Sequence, residues 1–100
     1  MIKCFIGYSG QIPDEALVIA VTMWFVYILK CSDNTYYIGC TSDLDDRLRR
    51  HSKGENTYTK YRLPVNLMGY IAFQNKYKAY EFERYLKSGS GIAFARKRLI

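Results

Sequence analysis

Tyr27, Tyr37, Arg47, His51 and Glu83 are the side chains whose types and spacing could do chemistry together. Two phenols on neighbouring strand-like runs, a basic pair one helical turn apart and a carboxylate on a later helix can supply a proton acceptor, a clamp for phosphate oxygens and a ligand for a hard cation. That set suits hydrolysis of a phosphodiester. Arg47 and His51 are four residues apart and so share one helical stripe, with Leu44 and Leu48 on the adjacent stripe for packing. Glu83 falls about 40° around its helix from Ala79, on the side of Phe82 and Leu86, so its carboxylate meets a core edge and needs a cation, a donor or a metal there. Plainer arrangements compete. Glu83 can pair with Lys87, and Asp43 with Arg47 and Asp46 with Arg50 would leave His51 on the surface. A tyrosine, with an ordinary pKa of about 10, is a poor base at neutral pH, so either phenol needs positive charge nearby.

The elements that must position these groups are legible in outline. Trp24 to Lys30 and Thr35 to Cys40 are rich in aromatic and β-branched residues, with Ser32, Asp33 and Asn34 between them, which predicts a hairpin. Asn34 tolerates the left-handed backbone that a tight turn often demands. Tyr27 shares a strand face with Phe25 and Leu29, and Tyr37 with Thr35 and Gly39. Ser42 followed by Asp45 resembles a capping box, and a helix should run from about Asp43 to Lys53 until Gly54 and Asn56 break it. Leu67 to Phe73 alternates as a third strand. Asn75 can cap a helix reaching about Lys87, ended by the run Ser88 to Gly91, after which the basic tail Phe94 to Ile100 forms a last turn or strand. The order β-β-α-β-α predicts an α+β fold, a small, three-stranded, mainly antiparallel sheet flanked by helices.

Length and composition fit one small unit. One hundred residues with 49% hydrophobic content can build a single core without staples. The 15 Lys plus Arg against 9 Asp plus Glu leave a formal charge of +6, which favours a polyanionic partner such as nucleic acid. Three cysteines and one histidine lack zinc-type spacing and suit a reducing, cytoplasmic setting. The longest apolar run, Ala16 to Leu29, falls short of the roughly 20 residues needed to cross a bilayer, so no membrane is expected. Residues 1 to 22 read as an uncertain lead in which Pro13, Asp14 and Glu15 could open a short helix, although the β-branched residues after them also suit a strand. Residues 23 to 100 read as the domain proper, and a shorter product starting at Met23 would keep every chemical residue.

The stretch from Phe25 to about Leu99 resembles the GIY-YIG nuclease family, and its small stand-alone bacterial members in particular. Phe25-Val26-Tyr27 stands where the first triplet belongs, and Tyr37-Ile38-Gly39 is an intact second triplet. The family's arginine, the histidine or tyrosine one turn on, and its glutamate fall at Arg47, His51 and Glu83; Tyr58-Thr59-Lys60 and Pro64 are similar to the linker of the small members. The resemblance implies a structure-selective DNA endonuclease, with DNA preferred over RNA, in which Glu83 holds one Mg²⁺ or Mn²⁺, Tyr27 is the favoured general base with Tyr37 beside it, Arg47 neutralises phosphoryl charge and His51 orients or protonates. Branched, flapped or damaged DNA would be the substrate. Arg49, Arg50, Lys53, Lys60 and Arg62, with Tyr58 and Tyr61 among them, suit contact with the nucleic-acid backbone and stacking on unpaired bases, and Gly39 would let that backbone come close. Two departures from the family pattern stand out: Cys40 follows the second triplet where some members carry lysine, and Ala95 lies near the place of a distal asparagine. A nucleic-acid-binding module that keeps the fold but has little turnover is therefore the alternative expectation.

Overall fold

A computed structural model describes residues 22 to 100. It contains β1 (Trp24–Lys30), β2 (Tyr36–Thr41), α1 (Leu44–Ser52), β3 (Asn66–Phe73), α2 (Lys76–Leu86) and α3 (Gly89–Arg98). The three strands form an antiparallel sheet in the order β2-β1-β3, so β1, which carries Tyr27, is central. The expected α+β fold is present, and the order β-β-α-β-α is extended by one helix. The possible helix or strand after Pro13 lies outside the described residues.

Local chemistry accounts for the boundaries. Asn34 adopts φ 66° in the β1–β2 turn, as its tolerance of the left-handed region predicts. At α1 the cap is Asp43 rather than Ser42: its carboxylate accepts from the Asp46 N–H at 3.1 Å. Asn75 caps α2 as expected, accepting from the N–H groups of Tyr77 and Lys78. Gly54, at φ +78°, turns the chain out of α1.

The tail corrects the sequence-based expectation. Ser88 does not close α2 into a loop; its hydroxyl accepts from the Gly91 N–H and opens α3. Gly91 is buried, and a Cβ there would collide with the Tyr85 carbonyl, so this glycine lets α3 start hard against the end of α2. A Ser-Gly-Ser-Gly run reads as a terminator because the packing partner that makes it a helix start is not local.

Alternation along β1 divides its neighbours into two layers. Val26 and Ile28 are buried among Ala79, Leu86 and Ala95 of α2 and α3, with Ile38, Cys40, Phe73 and Phe82 packed around them. Tyr27 and Leu29, equally buried, belong to the other face, where α1 and the loop after it lie. No helix among the described residues is long and apolar enough to cross a membrane.

Candidate active site

Tyr27 projects from the middle of the central strand, opposite Gly39 of β2. Its ring lies across that glycine, where a Cβ would run into Cζ and Oη of the phenol. Gly39 is itself buried, and the side chain it lacks makes room for Tyr27. The phenol Oη is 3.0 Å from Nε2 of His51, and Nδ1 of His51 is 2.8 Å from Oγ1 of Thr59. All three residues have no exposed surface. No buried side-chain nitrogen or oxygen among the described residues lacks a partner, so each polar atom of this line through the α1 layer is engaged.

Tyr37 forms the outer edge of the same group. Its ring packs edge-on against His51, with centroids 4.9 Å apart, and lies 6.2 Å from that of Tyr27. Its hydroxyl accepts from Nδ2 of Asn56 at 3.3 Å, while Oδ1 of Asn56 accepts from the N–H groups of Tyr58 and Thr59. Outward again, Tyr58 packs on Tyr37, Arg62 covers the Tyr58 ring at 4.0 Å, and Asp33 accepts from Nε of Arg62 at 3.0 Å. A further bond from Ser32 N–H to the Arg62 carbonyl ties this loop to the hairpin turn. His51, Tyr37, Tyr58 and Arg62 thus stack from the interior to the surface and wall one side of the site.

Charge converges here from two layers. Burial holds the Tyr27 phenol well above its ordinary pKa; the neighbouring Tyr37 and the Glu83 carboxylate push the same way, and the Arg47 guanidinium opposes them. Cys40 feels a similar set: burial raises its thiol, Glu83 adds to that, and Arg47 counters. Arg47 from α1 and Glu83 from α2 thus enter the electrostatics of both groups. His51 is pushed down by burial and then by Arg47, which keeps the ring neutral at neutral pH. A recess of about 190 Å³ lined by Arg47, Arg50, His51, Glu55 and Asn56 adjoins the group. The larger hollow of about 600 Å³, lined by Ile28, Ile38, Leu86 and Ile92 among others, belongs to the α2–α3 layer and not to this site.

Several expectations take a different form in the folded chain. His51 is not on the surface; it is sealed between Tyr27 and Thr59. Asp46 pairs with Arg50 at 3.0 Å and approaches Arg49 at 3.7 Å, as helical spacing allows, whereas Asp43 is engaged as a cap. Glu83 does pair with Lys87, at 3.0 Å. Arg62 is occupied by Asp33 and the Tyr58 carbonyl, so it braces the wall, while Lys53 and Lys60 are exposed. Thr59 and Asn56 are the residues that sequence reasoning missed. Asn56 showed only as a helix breaker, and nothing local marks a threonine hydroxyl that closes on a histidine eight residues back.

Glu83 and the two phenols would make an all-oxygen set, the kind that suits a small divalent ion that keeps several waters. No three His, Cys, Asp or Glu side chains cluster as a ready-made cage among the described residues. Any such ion would lean on a substrate phosphate, and Glu83 would share its carboxylate between the ion and Lys87, which is bonded to one of its two oxygens.

Comparison with known proteins matches residues 23–92 to the model of the GIY-YIG catalytic domain. The chain is 46% identical over 68 residues to the UPF0213 protein YsiG of Lactococcus lactis, a match covering 67% of this chain and 65% of that one, so it spans just under two thirds of that relative's length. It is 40% identical over 79 residues to a UPF0213 protein of Pediococcus pentosaceus, covering 74% of this chain and 82% of that one. The solution NMR structure of a UPF0213 protein from Bacillus halodurans is similar with a TM-score of 0.50 and 32% identity, over 77% of this chain and 86% of that one.

Proposed function

The chain belongs to the GIY-YIG family, and from that premise we propose that it is a metal-dependent endonuclease that hydrolyses phosphodiester bonds of DNA and selects its substrate by shape rather than by base sequence. One observation supports this most strongly: the Tyr27 phenol is buried with its Oη 3.0 Å from Nε2 of His51 and its ring 6.2 Å from that of Tyr37, so the two phenols and the imidazole meet at one place.

In this mechanism Glu83 would hold one Mg²⁺ or Mn²⁺, which would polarise the scissile phosphate and offset the carboxylate charge that disfavours a phenolate at Tyr27. Arg47 engages the non-bridging oxygens and gathers the charge that builds on them. Tyr27 has no exposed surface and carries its phenol hydrogen at neutral pH, so it can take a proton from the attacking water only by passing its own to Nε2 of His51, 3.0 Å away. Tyr37, at the outer edge, holds that water and shares the role. His51 keeps the Tyr27 oxygen in place. Arg49, Arg50, Lys53 and Lys60 attract the backbone, and the exposed rings of Tyr58 and Tyr61 can stack on unpaired bases.

A second reading, a binding module with little turnover, is favoured by the Glu83–Lys87 pair, which engages the only carboxylate proposed as a ligand. A panel of duplex, flap, junction and single-stranded DNA, and matched RNA, separates the two. The nuclease reading predicts metal-dependent cuts concentrated on branched or flapped DNA; binding that weakens steeply with salt, without cuts on any substrate, would establish the module instead.

A further inference from the structure

Directly across the sheet from the site stands an aromatic residue that the reaction above does not use. Gly39, Tyr27 and Tyr70 are Cα partners along one row of β2, β1 and β3, so the side chains of Tyr27 and Tyr70 leave the same face. The Tyr27 ring lies the other way, over Gly39, and is sealed. Tyr70 is 54% exposed although it sits in the middle of its strand. Its ring meets that of Phe25, the half-buried residue two before Tyr27, edge to face with centroids 5.7 Å apart. This contact braces the Tyr70 ring and leaves much of it to solvent.

An exposed aromatic ring on a sheet is a surface on which the flat face of a nucleic-acid base can stack. Charge favours that occupant over an acidic or apolar partner surface. From Asn56 through Tyr80 the chain carries no Asp or Glu, and Lys60, Arg62, Lys76 and Lys78 supply its charges, so the segment that carries Tyr70 has nothing to repel phosphate. Neighbouring strands lie about 4.8 Å apart and stacked nucleotides follow at about 3.4 Å, which puts a base on Tyr70 about one or two nucleotides from a phosphate held beside Tyr27. In a continuous duplex that base is paired and both its faces are covered by the stack. Only an unpaired base can turn a face to the ring.

We infer that Tyr70, braced by Phe25, is a stacking platform for an unpaired base next to the scissile phosphate, and so a residue that makes the site prefer single-stranded or flapped DNA to continuous duplex. It is separate from Tyr58 and Tyr61, which belong to the loop between α1 and β3. The place of the base beside the scissile phosphate rests on the reaction proposed above; stacking on Tyr70 does not.

The test is fluorescence anisotropy of labelled DNA with the full chain in chelator: a single strand, a flap and a blunt duplex of equal length. Tyr70→Ala should weaken binding of the single strand and the flap about fivefold to a hundredfold, the range for one base stacked on one ring, and binding of the duplex by less than about twofold. Tyr70→Phe keeps the ring and should bind as wild type does. Should Tyr70→Ala fold poorly, Tyr70→Leu, which keeps an apolar contact with Phe25 but has no aromatic face, gives the same reading. A loss shared equally by duplex and single strand, or no loss at all, overturns the inference. Unchanged DNA binding together with self-association that Tyr70→Ala abolishes overturns it in favour of a contact between copies of the chain. With Mg²⁺ and a cleavable flap, Tyr70→Ala should raise KM and keep kcat. A ring-dependent preference for single strands in a protein that cuts nothing upholds the platform and refutes only the reaction; cutting by wild type, with Tyr70→Ala unchanged in binding and KM, upholds the reaction and refutes the platform.

Discussion

On one face of β1, Val26 and Ile28 are buried among Ala79, Leu86 and Ala95, in a cluster without a polar side chain. On the other, Tyr27 is buried as completely but gives its position to a bond with His51, which bonds Thr59 in turn. Burial on the first face removes apolar surface from water at roughly 25 cal/mol per Å², a direct gain in stability. On the second, each polar group is stripped of water and recovers a net ~1 kcal/mol per hydrogen bond. An apolar set of similar volume would hold the sheet to α1 about as well. The difference teaches where to look for function: the α2–α3 face is held by apolar burial, and the α1 face carries buried polar groups that an apolar core would not need.

Substitutions on the two faces should therefore fail in different ways. The largest effect is expected on the site face. Tyr27→Phe keeps the ring over Gly39 and should lower kcat per folded molecule by roughly 10²–10⁴-fold, the usual contribution of a positioned acid or base, while the loss of the partner of His51 Nε2 costs about 1–3 kcal/mol on urea titration. Tyr37→Phe loses only the Asn56 bond and should cost less; an equal or larger loss would transfer the base role outward to Tyr37. On the core face, Leu86→Ala should cost about 2–5 kcal/mol of stability with kcat per folded molecule unchanged, as measured by urea titration alongside kinetics. A catalytic defect in the folded fraction would blur the division between faces.

Gly39→Ala tests the boundary between them. A methyl group there meets the Tyr27 ring, so stability should fall by about 1–3 kcal/mol and activity should fall with it, because the phenol must move. Acid provides a milder probe. His51 is buried neutral with its pKa held below 6.5, so the unfolded chain takes up a proton near that value before the folded chain does. Stability should thus decrease as pH falls through 6.5 and level off once the folded ring is also protonated. Urea midpoints across that window should show the slope in wild type and a weaker one in His51→Gln. The smallest effect is expected from Lys87→Ala. The Glu83–Lys87 pair is largely solvated on the lysine side, so stability should change by less than about 1 kcal/mol, with Glu83 freed for a cation.

The local parts of this architecture are legible in the chain. Strand alternation, the Asn34 turn and the Asn75 cap depend on neighbours in sequence, and the structure reproduces them. The i, i+4 spacing of Arg47 and His51 likewise predicts that both leave α1 on one side; His51 bonds Tyr27, and both line the recess beside it. What escapes is set by contacts between distant residues. Burial of His51 depends on a loop folding back to bring Thr59 over it, and α3 exists because Gly91 can sit against Tyr85. The purpose of Gly39 was equally hidden: its glycine character shows in the sequence, but only the register places Tyr27 across it.

The most direct test of the central claim is cleavage of a branched, end-labelled DNA by the purified protein with Mg²⁺, with Mn²⁺ and with chelator, beside Glu83→Ala. The account predicts nicks in wild type with either ion, none with chelator, and none in Glu83→Ala at an unchanged melting temperature. Cleavage that persists in chelator or in a folded Glu83→Ala would contradict it.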